Sequence, residues 1–461
     1  MPYVNRRVVL VLVLIILTAL CTITIQPIKG GSSTIVVPDD YPTISSAIGN
    51  ATDGDTIFVR KGTYEGPRNQ TLVINKMISL IGEDANNTKI NLHPDWVTTT
   101  IFTQTFSYYA HSVKIEANDV NLGGFTITSD GGEIFANGDK VQIMGNIITT
   151  RLILNGSYQT FAYNVLTANI DSTGTYGSIT ANNVVNGIIG VSGSYNSVFA
   201  NNVVGNYSGI GTGGEGGSNL IYANTVKDGD GISIGSSDNI VANNTITNSS
   251  MGVGIYWGQL NIVYGNTITN CPGIGLYKTE SHGGNVFYAN YVANNSCGAK
   301  IAYAAPSDNT DLYHNNFVNN VQQVNCDETE TVGSGEYSFT RPLYHTGRFD
   351  NGSVGNYWSD YKGIDADHNG IGDTPYIIDA NRADHYPLMT PFDISSITIQ
   401  LPEWANISSP NPLPIPSVSP RPSPSVTVQP EPFPTTLIAA SVASVAVVGL
   451  GLLVYFRKRN R

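Results

Sequence analysis

Charge is scarce in this chain: Asp, Glu, Lys and Arg together make up 13% of its 461 residues. Basic residues are the rarer kind, 23 against 35 acidic, and the net charge is −12. A protein that grips nucleic acid needs a basic face for the phosphates, so nucleic acid is excluded as a partner. Methionine, tryptophan and cysteine number only 5, 4 and 4, which leaves little from which to build a soft-metal centre. Polarity comes instead from uncharged Asn, Thr, Ser and Gly. That balance suits a solvated extracellular surface and is compatible with binding metal cations.

Long apolar runs occur at the two ends. Arg6 and Arg7 precede a run from Val8 to about Ile25 that Pro27 breaks, the pattern of a secretory signal over 1–31, with an uncleaved anchor as the other reading. Residues 436–456 are uncharged, long enough to span a bilayer, and followed by a basic tail at 457–461. The expectation is a single-pass transmembrane helix, an extracellular ectodomain and cell-membrane localisation. The Pro/Ser-rich stretch at 401–435 reads as an extended stalk.

Between the ends the chain repeats. NSVFANNVV from Asn196, NLIYANTVK from Asn219, NIVANNTIT from Asn239, NIVYGNTIT from Asn261 and NVFYANYVA from Asn285 share one frame, and DLYHNNFVN from Asp311 follows it loosely. Their sixth residues are Asn201, Asn224, Asn244, Asn266, Asn290 and Asn316; Asn146, Asn164 and Asn183 fit the same frame, with Gly124 in that place earlier. A period between about 18 and 26 residues is that of a solenoid. Asn tolerates the left-handed conformation of a tight corner, and stacked Asn side chains can bond to one another along the rod. The fold expected is all-β: a right-handed parallel β-helix of about ten or more coils with capped ends, on the order of 45 Å long for ten coils. Coils are expected over 111–344, an N-terminal cap with first coils over 32–110, and a C-terminal cap over 345–400.

The opening TIVVPDDYPTISSAIGNATDGDTIFVRKGTYEG resembles that of pectin-lyase-like β-helices, where a short helix, here around Pro42 to Asn50, closes the end. With YWSDY (Tyr357 to Tyr361) and GIGDTPY (Gly370 to Tyr376), the span 34–393 resembles the NosD family, and most closely its membrane-anchored archaeal surface relatives. The resemblance implies carbohydrate binding or sugar cleavage, functions shared by other members of this repeat class. It also implies a copper accessory role, for which the scattered histidines His93, His111, His282, His314, His345, His368 and His385 give little support.

Several residues could carry chemistry. Asp365, Asp367, Asn369 and Asp373, around Gly370, match the start of a calcium loop; the alternative is an Asp/Asn/Gly turn. A bound calcium there is expected to be structural. Asp228 and Asp230 are a candidate carboxylate pair for hydrolysis, or else an Asp-Gly turn. His282 beside Glu280 is a close acid–base pair. Phe199, Tyr222, Tyr264, Tyr288 and His314 share one register that is either an outward strip for sugar rings or core, with Tyr256 and Trp257 on a later strand adding to the strip. Cys271 and Cys297 sit at similar places in adjacent repeats and are the candidate disulfide; small buried residues are the alternative. Sequons such as Asn206 and Asn248 suit a glycoprotein.

The function expected from the sequence is a surface β-helix without catalysis, binding extracellular polysaccharide or contributing to the cell envelope. A polysaccharide lyase, epimerase or hydrolase is the alternative, and a copper accessory protein the second alternative.

Overall fold

The computed structural model describes residues 32–101, 104–279, 283–301, 309–325, 329–332, 338–342, 347–405 and 407–418. Three long sheets run the length of a parallel β-solenoid. The first has 13 strands from Thr34–Val37 to Thr310–Tyr313, the second 13 from Gly62–Arg68 to Tyr357–Trp358, and the third 12 from Leu72–Ile74 to Gln322–Asn325. Each coil visits them in turn, as in Ser197–Phe199, Asn202–Val204 and Gly209–Thr212. At about 4.8 Å per strand, thirteen coils make a rod of roughly 58 Å.

Short strands fold this way because each offers one or two apolar side chains inward. Ile179, Val198, Ile221, Val241 and Val263 stack in register on the first sheet, and Ile189, Ile210, Ile232 and Val253 on the third. All are buried in one continuous core.

The corners are set by asparagine, with a division of labour that the sequence did not show. From the first sheet to the second the buried ladder is Asn146, Asn164, Asn182, Asn201, Asn224, Asn244, Asn266, Asn290, Asn315 and Asn356. Asn182 and Asn315 stand where the repeat frame expected Asn183 and Asn316. The left-handed residue is the one before each ladder position from Asn146 to Asn315: Gly145 (φ 67°), Ala200 (φ 55°), Ala223 (φ 52°), Asn243 (φ 54°) and Gly265 (φ 66°) among them. From Asn146 to Asn315 each ladder Asn donates its side-chain amide to the next Asn and to a carbonyl of the preceding coil, as Asn244 does to Asn266 at 3.0 Å and Ile221 at 2.9 Å. Buried backbone groups that a tight corner leaves without a strand partner are satisfied in this way. A second ladder, Asn196, Asn219, Asn239, Asn261 and Asn285, does the same from the third sheet to the first.

Both ends are closed. The helix Ile44–Asn50, with Thr43 and Ser46 forming a capping box, lays Ile44, Ala47 and Ile48 over the first coil. Lys76 donates to the carbonyls of Ile48, Gly49 and Ala51 at its C-terminus. At the other end Trp358 stacks between Phe317 and Tyr376 at 4.6 and 4.4 Å. Asp384 accepts from the Trp358 indole at 2.8 Å and the Asn356 backbone N–H at 2.7 Å.

From this cap the chain turns back along the rod. Phe392 stacks on His314 at 4.3 Å, the Gln400 carbonyl accepts from the Tyr264 hydroxyl, and Trp404 meets the Tyr195 ring edge-on. The Pro410 carbonyl accepts from the Tyr163 hydroxyl, and Leu413 lies over Gly123. The first part of the Pro/Ser stretch read as a stalk from 401 is therefore a strap over the first sheet.

The expected membrane anchor is corrected. Among the described residues no helix is long and apolar enough to cross a membrane. The single-pass helix, the membrane as a partner and the cell-membrane localisation are withdrawn with it. Residues 436–456, like the signal segment 1–31, lie outside the described residues.

Candidate functional site

Strand alternation turns every other residue of a solenoid sheet outward. On the third sheet the outward column, in register, reads Lys114, Phe135, Ile153, Asp171, Gly190, Gly211, Ser233, Gly254, Tyr277 and Lys300. Four consecutive positions, Gly190, Gly211, Ser233 and Gly254, carry almost no side chain. The neighbouring outward positions Gly209 and Gly231 are glycine as well. A shallow trough of about 340 Å³ results, floored by Gly209, Gly211, Gly231 and Ser233 and walled by Tyr207, Met251 and Tyr256. Asp230 is at its edge, where its carboxylate accepts from Ser250 Oγ at 3.1 Å.

Tyr207 is 79% exposed. Tyr256 is half-buried, its ring 5.5 Å from Tyr277 and its hydroxyl 3.4 Å from Met251 Sδ. Burial pushes its phenol pKa up, with Tyr277 and Asp230 adding to the effect, so the hydroxyl keeps its proton.

A second recess, of about 470 Å³, is formed by Ser194, the loop Gly214–Ser218, Gly235–Asp238, Trp257 and Gly258. Glu215 and Asp238 are its charged lining residues, both exposed, and Trp257, another lining residue, is 57% exposed. Tyr256 and Trp257, adjacent in sequence, thus put one ring in each recess. Glu215 and Tyr207 escaped the sequence reading. The available signal was coil length: the ladder step grows from 19 residues, Asn182 to Asn201, to 23, Asn201 to Asn224. The excess divides equally between the corner around Tyr207 and the glycine-rich loop around Glu215.

The other candidate residues are dispersed. Tyr222, Tyr264 and Tyr288 point outward from the first sheet, not inward, in one column with Ala242 and Tyr313. Tyr313, not His314, is the column's member. Tyr264 is only 2% exposed, stacked on Tyr288 at 4.9 Å and covered by the strap at Gln400. The trough and the tyrosine column lie on different faces.

The expected Cys271–Cys297 disulfide is corrected. The two thiols are not bonded to each other, because they are out of register. The Cys271 carbonyl accepts from Ser296 N, whereas Cys297 N donates to Gly273. Each sulfur instead contacts a carbonyl, Thr269 at 3.7 Å and Ala299 at 3.2 Å.

Asp228 occupies a left-handed corner and binds Asn248, apart from the trough residues around Asp230. Glu280 and His282 lie outside the described residues. In the acidic loop, Asp365 accepts from Asn369 N and Gly370 N, Asp367 accepts from the Asn369 amide, and Asp373 from Ala366 N. Burial pushes the Asp365 carboxyl up, but the bonds from Gly370 N and Asn369 N, with Asp367 and His368 adding to them, together hold it below the usual carboxylate range. Among the described residues no group of three or more His, Cys, Asp or Glu converges as metal ligands.

The three stacked sheets define a parallel β-solenoid. A family model described as "Periplasmic copper-binding protein (NosD)" matches residues 225–363. No curated protein matches the chain. Among solved structures, the A-module of the Azotobacter vinelandii mannuronan C-5 epimerase AlgE4 is 14% identical, with 63% of this chain and 93% of that one covered at a TM-score of 0.47. An alginate lyase of the PL6 class in complex with a trisaccharide is 11% identical, with 74% and 81% covered at 0.41. The catalytic domain of a GH87 α-1,3-glucanase is 13% identical, with 64% and 66% covered at 0.44. These are likenesses of fold. The expectation of a protein without catalysis finds no support among them.

Proposed function

We propose that the protein is a carbohydrate-active enzyme that takes a glycan across the outward face of its third sheet. The observation that carries this reading is the pairing of Tyr256 and Trp257 over two recesses that hold Asp230, Glu215 and Asp238. Aromatic rings offer the apolar faces on which sugars stack, and carboxylates supply the acid and base that sugar cleavage uses. The test is incubation of the purified protein with a polysaccharide panel, reading new reducing ends and unsaturated products. Products that disappear in Asp230→Asn or Glu215→Gln support the reading; no product on any polymer, with no binding by calorimetry, removes it.

The loop from Asp365 to Asp373 is proposed as a structural calcium site, since hard cations take oxygen ligands and Asp365, Asp367, Asn369 and Asp373 fall in one short loop whose oxygens would draw together on the ion. Millimolar calcium is expected to raise the melting temperature by a few degrees, and chelator to reverse it. Identical melting in both would remove the ion.

A further inference from the structure

We infer that the glycan taken by the third sheet carries no carboxylates, being a chain of neutral sugars, and that uronate polymers are rejected. This rests on the glycan-binding role proposed for that face and goes on to name the substrate class.

The first ground is charge. The charged side chains among the described residues lining the two recesses are Asp230, Glu215 and Asp238, all acidic. A uronan brings one negative charge per sugar, and carboxylates are recognised by Arg, Lys or a bound cation. The cations on this face stand away from the trough. Arg151 is three strands before Gly211, roughly 14 Å, and is already held by Asp171 at 2.7 Å. Lys300 is three strands beyond Ser233 in the same column. Hydroxyl groups of a neutral sugar, by contrast, donate to carboxylates in charge-assisted bonds.

The second ground is the floor. A Cβ built on Gly211 would meet nothing closer than the Ser233 carbonyl at 3.7 Å, an ordinary contact, and its φ lies outside the left-handed region. Neither backbone nor packing requires glycine there. The missing side chain leaves room for a chain to lie flat between Tyr207 and Tyr256, its C–H faces against the rings.

The chemistry follows from the class. Elimination and C5 epimerisation both depend on a carboxylate that acidifies the hydrogen at C5, which a neutral sugar lacks. Hydrolysis remains. Water oxygen bonds to the anomeric carbon as the glycosidic C–O bond breaks; one carboxylic acid protonates the leaving oxygen and one carboxylate takes the water proton. Glu215 and Asp238, in one recess, supply such a pair.

The test uses hexasaccharides matched in all but the carboxylate: mannan against mannuronan and galactan against galacturonan. Binding to the full chain is measured by calorimetry with calcium and with chelator. At least one neutral member is expected to bind tenfold or more tighter than its uronate partner in both buffers. Gly211→Phe is expected to lose that binding with an unchanged melting temperature. The combined change Asp230→Asn, Glu215→Gln, Asp238→Asn is expected to narrow the discrimination about tenfold. A uronate that binds as tightly as its neutral partner, in either buffer, overturns the inference while leaving the glycan-binding reading intact. No binding by any of the four overturns both.

Discussion

On the first sheet the outward column reads Met144, Ala162, Thr180, Phe199, Tyr222, Ala242, Tyr264 and Tyr288. At the equivalent place on the third it reads Asp171, Gly190, Gly211, Ser233, Gly254 and Tyr277. The two faces share an inward pattern and one coil geometry. They differ in what lies over them. Met144, Phe199 and Tyr264 are buried although they point away from the core cluster, because the segment after the C-terminal cap lies back along their sheet. The trough is bare. An outward column rich in large apolar residues therefore marks a covered face here, and a column stripped to glycine marks one kept open.

The largest expected effect comes from removing the cover. Ending the chain at Pro391 exposes Met144, Phe199 and Tyr264, and at roughly 1.5–3 kcal/mol per large apolar side chain the loss is on the order of 4–9 kcal/mol. Thermal unfolding would show it, with dye binding to the uncovered tyrosines; an unchanged melting temperature would mean that the strap does not stabilise the rod.

Next is a pair of glycine changes, one for each face. Gly265→Phe is expected to cost about 2 kcal/mol: its φ is 66° and a Cβ would approach Ile397 to 2.9 Å. Gly211→Phe, in open space, is expected to stay within about 0.5 kcal/mol of the parent. Equal losses at the two positions would erase the distinction between covered and bare faces.

The smallest effect is on pH, at the cap from which the strap departs. Burial pushes the Asp384 carboxyl up to about 6, with Asp350 adding to it, and outweighs the hydrogen bonds from Asn356, Trp358 and Tyr386 that lower it. A folded-state value above the free one near 3.8 means that the folded form binds the proton more tightly. That contribution to stability is fully present below about 3.8 and is lost as pH rises through about 6. Acidifying from pH 7 to 5 should thus strengthen the cap by about 1 kcal/mol, and Asp384→Asn should flatten the dependence. Asp55, at the other end, behaves oppositely. Bonds from Thr52 and Ser33 hold it at about 2 despite an opposing effect of burial, so its contribution is present above about 3.8 and lost as pH falls through about 2.

The solenoid was legible because its ladders are made by one residue type at a nearly fixed step. The frame slipped by one at Asn182 and Asn315, where two asparagines are adjacent and a string cannot say which amide points inward. It also assigned the left-handed conformation to the ladder Asn, although backbone strain and side-chain bonding fall on consecutive residues. The orientation of Tyr264 stayed open because an outward residue beneath a strap is as apolar as an inward one. The trough was hidden for the opposite reason: what defines it is the lack of side chains at Gly209, Gly211 and Gly231, which lie on two adjacent strands separated by a whole coil of sequence.

The strap also decides how the molecule bears load. It leaves the last coil at Phe392 and runs back to Leu413 over Gly123, ten coils of the first sheet away counting both ends. A pull on the chain beyond Ile415 is therefore delivered near the N-terminal third of the rod, and the strap must peel, coil by coil, before tension reaches the cap. The rod's last turn, the easiest place for a solenoid to unravel, is mechanically the last to feel the force.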